Sequence, residues 1–260
     1  MRIRRLAVAA VAVAALAGFT GCASPAESPS ADAGKGSAAA PASSAPADAG
    51  AELAAAGGKL ADTSVKVDMT AVGGITMTGM VDPTSQKAEM TTDMGSVGKM
   101  TMRQVGGDLY VQTKGQIASA TGAPAGKWMH VDLTKVPETS ALNIKNYDPR
   151  VTAKLLTANS AVTRTGEHGF TGKLDLTKSS TLNPAALKSL GLKATAVPFT
   201  AKTDSAGRLT ELILELDALA PGAGKMTTKY SAFGAPVTVT PPPAAQVIEM
   251  PEKYRKAMGA

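Results

Sequence analysis

The chain has 260 residues, of which 44% are apolar, only 3% are aromatic and one is a cysteine. That length allows one large domain or two small ones with a real core, whereas a lone cysteine excludes an intrachain disulfide framework, and two histidines leave few ligands for a zinc or iron site. The formal charge is +6, but Arg2, Arg4 and Arg5 fall in a segment that reads as removable, leaving 24 basic against 21 acidic residues, too mild a balance to argue for a nucleic-acid partner.

Met1 to Arg5 forms a basic start, and Leu6 to Ala17 is a short run rich in Ala and Val. Such a run is too short to span a bilayer as a stable helix and suits the apolar stretch of a signal peptide. It ends in Phe19-Thr20-Gly21-Cys22, which resembles a bacterial lipobox, with Phe19 where an aliphatic residue is more usual. The resemblance implies cleavage before Cys22 and a diacylglycerol on its sulfur. The alternative is an ordinary secretory signal with Cys22 as a buried free thiol. Arg4-Arg5 leaves a twin-arginine export route open beside the general one. From Ala23 to about Gly50 the chain is almost wholly Ala, Ser, Pro and Gly, a composition that cannot bury enough apolar surface to offset its ordering entropy. About thirty such residues reach roughly 30 Å. The expected organisation is a signal peptide over 1–21, a lipidated cysteine and disordered tether over 22–50, and one domain over 51–255.

Leu53, Ala56 and Leu60 suggest a short first helix. From Thr63 the apolar period becomes two: Val65, Val67 and Met69 alternate with polar residues, the mark of a half-buried strand. Gly73-Gly74 predicts a two-residue hairpin turn, since glycine tolerates the positive φ that such turns need. Strands follow around Ile75, Met77 and Val81, over Gln86–Asp93, Lys99–Val105 and Asp108–Thr113, and, after a loop with Gly122, Pro124 and Gly126, over Lys127–Asp132. Asp148-Pro149 and Asn183-Pro184 are helix starts, each an N-cap followed by proline at the first position. Val151, Leu155 and Leu156 give the first of these helices its apolar side, and Leu187 and Leu190 the second. Further strands are expected over Ala161–Gly166, Phe170–Leu176, Lys193–Thr203, Arg208–Asp217 and Lys225–Phe233. Consecutive hairpins make this an antiparallel sheet.

Eight of the twelve methionines lie between Met69 and Met129: Met69, Met77, Met80, Met90, Met94, Met100, Met102 and Met129. Methionine is unbranched and polarizable and packs around irregular apolar shapes. Two readings stand side by side, a core in which Met replaces Leu and a surface shaped for an acyl chain. Met80 and Met94 are out of phase with their neighbours, so not all eight can face one cavity. A buried sixteen-carbon chain gains roughly 12 kcal/mol before binding costs, at about 0.8 kcal/mol per CH₂.

Several local stretches resemble the actinobacterial lipoproteins of the LppX and LprG type: Gly107-Asp108-Leu109-Tyr110-Val111, Gly126-Lys127-Trp128 with Val131-Asp132, and Val197-Pro198-Phe199 followed by Asp204 to Leu209. Tyr230 to Gly234 with Pro236 to Val239 is similar to that family's final strand and its exit. The resemblance implies an α+β fold, a single curved antiparallel β-sheet (a half-barrel) with helices covering its concave face, as in the LolA and LolB carriers. It implies a cavity for lipid or glycolipid, an envelope role on the extracytoplasmic side of a cell membrane, and a partner among envelope transporters. The candidate lipid contacts are Val67, Met69, Met77, Met90, Met100, Met102, Val111, Leu155, Leu187 and Leu214, with Cys22 as the lipidation site. No cofactor is expected. The alternative is an interaction or sensor module of the same fold without a bulky ligand.

Enzyme readings fare poorly. His168 lies in a Gly166-Glu167-His168-Gly169 turn, and no G-x-S-x-G elbow marks a nucleophile. Glu211 and Glu215 alternate with Leu212, Leu214 and Leu216, which puts them on a solvated strand face. Gly73-Gly74 and Gly106-Gly107 open no helix, so neither makes a phosphate loop. Lys145, Arg150 and Lys154 cluster at the first helix start, either as a solvated face or as contacts for anionic headgroups.

Overall fold

The computed structural model describes residues 48–124, 126–137, 140, 143, 148–179 and 188–257. Among these, twelve strands form one sheet: β1 (Val65–Thr70), β2 (Thr76–Asp82), β3 (Lys87–Asp93), β4 (Lys99–Val105), β5 (Asp108–Lys114), β6 (Trp128–Asp132), β7 (Asn159–Arg164), β8 (Gly169–Leu174), β9 (Val197–Thr203), β10 (Leu209–Glu215), β11 (Lys225–Ser231) and β12 (Val247–Glu249). Their order is β12-β6-β5-β4-β3-β2-β1-β11-β10-β9-β8-β7, so two meanders meet at the β1–β11 pair and the sheet is left open, with β12 and β7 at its edges. Every neighbouring pair is antiparallel except β12 on β6. Helices are few: α1 (Ala49–Gly58), α2 (Gln116–Thr121), α3 (Pro149–Leu156) and a C-terminal helix, Glu252–Ala257. The fold is therefore α+β with one large, mostly antiparallel sheet.

The two-residue period sorts side chains onto two faces. One register row runs Val67, Gly79, Met90, Met102, Val111 and Met129 across β1 to β6. Met90, Met102, Val111 and Met129 in that row are fully buried. The adjacent row, one residue along, runs Lys66, Met80, Glu89, Arg103, Tyr110 and His130. The charge of these two rows thus falls on one face and the core on the other, and Met80 lies on the charged face, as its phase predicts. Glu211 and Glu215 share that outer face, where Lys202 lies 2.8 Å from Glu211 and Lys225 lies 3.0 Å from Glu215.

α1 and α3 pack against each other. Asp48 caps α1 by accepting from the Gly50 N–H, and Asp148 caps α3 by accepting from the Arg150 N–H. Contact is closest at Gly57, where a Cβ would stand 3.2 Å from Ala153 Cα and 2.8 Å from Leu156 Cδ1. Leu53 and Ala56 of α1 are buried, as their spacing predicts; Leu60 is buried too but lies in the turn beyond the helix, which ends at Gly58. α1 starts at Ala49, two residues inside the stretch expected to be tether.

After β11 the chain crosses the outer face as an extended strap. It is fastened by Ser64 Oγ donating to the Ala235 carbonyl at 2.6 Å and by Lys127 Nζ donating to that of Ala245 at 2.9 Å. Val239 and Pro242 of the strap are buried. β12 then pairs with β6, and the C-terminal helix buries Tyr254 completely within the core. The Tyr254 and Thr113 hydroxyls lie close, but neither makes a hydrogen bond of normal geometry.

Several expected boundaries move. The β1–β2 connection spans 71–75, not two residues, because the Ala71 N–H closes it on the Ile75 carbonyl at 2.8 Å; both glycines keep φ of 75°. The strand expected from Lys193 starts at Val197, since Gly191–Thr195 winds into a 3₁₀ turn that buries Ala194. β7 begins at Asn159 and is bulged between Ser160 and Thr163, which bends this edge strand. The apolar pattern of the sequence does not predict α2, β12 or the C-terminal helix.

Candidate functional site

A cavity of about 130 Å³ lies between α3 and the inner face of β1, β2, β10 and β11. Val67, Met69, Met77, Leu214 and Met226 supply its sheet wall, and Val151 and Leu155, one helical turn apart, supply its helix wall. Its polar lining is Asp148, Thr152, Ser179, Thr228 and Tyr230. Thr152 Oγ1 and Tyr230 Oη are 2.9 Å apart, joining α3 to β11. Burial pushes the Tyr230 phenol up to about 12, with the Thr152 hydroxyl opposing, so it stays protonated and able to donate. Asp148, the N-cap of α3, is occupied by the Arg150 guanidinium at 2.9 Å from Nε to Oδ2 and by its capping bond.

The structure brings five of the expected residues together on this cavity: Val67, Met69, Met77, Leu155 and Leu214. Met90, Met100, Met102 and Val111 lie on the same face but belong to the packed core and do not line it. Cys22 and Leu187 lie outside the described residues. Met226, Thr228 and Tyr230 line the cavity and were not among the expected contacts. Their alternation with Lys225, Thr227 and Lys229 carried the signal, blurred by adjacent threonines. Arg150 is committed to Asp148 and so is not a free cation, Lys154 is exposed, and Lys145 lies outside the described residues.

The volume sets the chemistry. An apolar space of this size admits one small aromatic molecule, and it falls below the roughly 300 Å³ at which small-molecule pockets begin. A larger depression of about 630 Å³ lies beside His168, but it is open and walled by Thr165, Glu167, Thr200, Lys202, Thr210 and Glu211. His168 is exposed in its turn, 3.7 Å from Glu167. Asp132 commits its carboxylate to the Thr134 N–H and hydroxyl. Among the described residues no group of three His, Cys, Asp or Glu side chains is placed to hold a metal. Nor is any helix among them long and apolar enough to cross a membrane.

His130 has a different part. Its Nε2 is 2.8 Å from Asp108 Oδ1, and its Nδ1 is 2.9 Å from Glu249 Oε1 on β12. Only the imidazolium donates from both nitrogens. Burial disfavours that charged form, but the Asp108 and Glu249 carboxylates outweigh it and raise the His130 pKa. The stabilisation is therefore complete below the unfolded value of about 6.5 and fades as pH rises through the raised one. Protection of 247–257 against hydrogen exchange, corrected for the intrinsic pH dependence of amide exchange, is expected to fall as pH rises through the raised His130 value in the parent chain and to show no such step in His130→Gln. The same step in the His130→Gln variant would assign the effect to another group.

No protein-family model and no curated protein matches this chain.

Proposed function

We propose that the chain is a membrane-anchored lipoprotein of the LppX and LprG type that holds a lipid or glycolipid acyl chain between α3 and the sheet. The supporting observation is the apolar cavity in which Met69, Met77 and Met226 of the sheet face Leu155 of α3. Methionine side chains reshape around a flexible guest at little cost. In this reading α1 and α3 are the helices that cover the concave face of a half-barrel. Since about 130 Å³ holds only a fragment of an acyl chain, loading requires α3 to move off the sheet. At the cavity its polar link to the sheet is the Thr152–Tyr230 bond, and at its C-terminal end Asn159 Nδ2 of β7 donates to the Leu156 carbonyl. The anchor is Cys22, and the domain sits on the extracytoplasmic side of the cell membrane, where an envelope transporter is the natural partner.

The test is to fill the space. Leu155→Trp is expected to abolish uptake of a fluorescent palmitate analogue while leaving the far-ultraviolet circular dichroism unchanged. Undiminished uptake by a folded variant would sink the cavity assignment. The small volume favours a second reading, an envelope interaction or sensor module without a bulky ligand; it predicts no uptake by the parent chain either.

A further inference from the structure

Four large apolar side chains are exposed among the described residues: Val72 at 41%, Ile75 at 40%, Val97 at 45% and Leu192 at 88%. Sheet register places all four at one end. Val72 and Ile75 lie in the β1–β2 connection and Val97 in the β3–β4 connection; these are neighbours, because Thr76 pairs with Asp93. Leu192 precedes β9, whose Phe199 pairs with Leu214 near the end of β10, and Glu215 pairs with Lys225 at the start of β11. Thr227 of β11 in turn faces Thr70, the last residue of β1. Among the described residues, the opposite end, with the connections at 83–86, 106–107 and 204–208, carries no exposed large apolar side chain.

Two further observations fall on that same rim. Lys114, Lys178 and Lys188 there have no carboxylate in ion-pair range among the described residues, while Asp175 and Asp217 are turned to the N–H groups of Thr177 and Gly224. The described chain also begins there: Asn159 Nδ2 donates to the Gly50 carbonyl, and Asn159 pairs with Leu174, which pairs with Val197 at the start of β9. α1 then runs to the far end, where Lys59 Nζ donates to the Ala206 carbonyl.

We infer that this rim, carrying Val72, Ile75, Val97 and Leu192 beside Lys114, Lys178 and Lys188, is the surface that rests on an anionic lipid bilayer. Apolar side chains with lysines around them gain by entering the headgroup region, and the lysines gain from its negative potential. Asp48, where the described residues begin, lies at this rim, so on the anchored-carrier reading an anchor upstream draws the rim, and not the opposite end, towards the surface. Met69, Met77 and Leu214 of the cavity wall lie towards the same end, which gives a lipid the shortest path inward. The inference rests on the anchored-carrier reading, and its test separates the two.

Single cysteines introduced at Ile75, Val97 and Leu192, and at Thr84 and Ala206 on the opposite end, are labelled with an environment-sensitive fluorophore in the full chain. Labelling of the parent chain reports separately whether the Cys22 sulfur is blocked by acylation. With phosphatidylglycerol–phosphatidylethanolamine vesicles, the three rim labels are expected to shift to the blue and become severalfold less accessible to iodide, while Thr84→Cys and Ala206→Cys do not change. No change at the rim, or the same change at both ends, overturns the inference. So does a shift at the rim that follows protein concentration without vesicles, which would mark a contact between two copies.

Discussion

Phe199→Ala is expected to lower the unfolding free energy by about 3–5 kcal/mol, the usual loss for deleting a buried aromatic side chain. Phe199 is 2% exposed on β9 and faces Gly172 of β8 and Leu214 of β10 across the sheet. Its ring occupies the room that Gly172 leaves, since a Cβ on Gly172 would stand 2.9 Å from the ring's Cε1. A glycine on an adjacent strand has no side chain to collapse into the vacated volume, so relaxation is limited and the cavity term stays large. Against a typical stability of about 5–15 kcal/mol, that loss is a substantial part of the whole. Phe199→Leu keeps most of the volume and is expected to cost under about 1.5 kcal/mol. Urea titrations with unchanged slope would measure both. A loss below about 1 kcal/mol for the alanine variant would mean that the ring is not packed as described.

Cys22→Ala is expected to move the protein from the membrane fraction to the soluble fraction and to abolish its labelling by radioactive palmitate. Each buried sixteen-carbon chain contributes roughly 12 kcal/mol, at about 0.8 kcal/mol per CH₂. The rim residues and scattered lysines offer far less, so they orient an anchored domain but do not hold a free one. Persistent palmitate labelling of the alanine variant would place the acyl chain elsewhere, and an unchanged membrane fraction would show that another segment anchors the chain.

The sheet was legible because its strands alternate cleanly. Val65-Lys66-Val67 and Met100-Thr101-Met102 assign faces without any tertiary information, and antiparallel hairpins bring such rows into register. α3 was legible from Asp148-Pro149, which caps and starts a helix by local chemistry alone. The C-terminal strap was not. Its Pro-rich stretch from Pro236 to Pro243 has no repeat to read, and β12 has three residues whose pairing with β6 depends wholly on where the strap crosses. The site was half legible for the same reason. Alternation told which face Met77 and Met102 share, but not that α3 stands over Met77 and leaves Met102 in solid core. That distinction lies in the helix's path, and no strand pattern encodes it.

A domain that holds an acyl chain keeps it through purification, so what the purified protein carries tests the proposed function. The full chain, made in a bacterium, is purified from detergent into amphipol, its native mass is recorded, and the bound lipid is extracted and identified. One non-covalent lipid per chain is expected, absent from Leu155→Trp. A bare mass for the parent chain, unchanged after incubation with total envelope lipid, would contradict it.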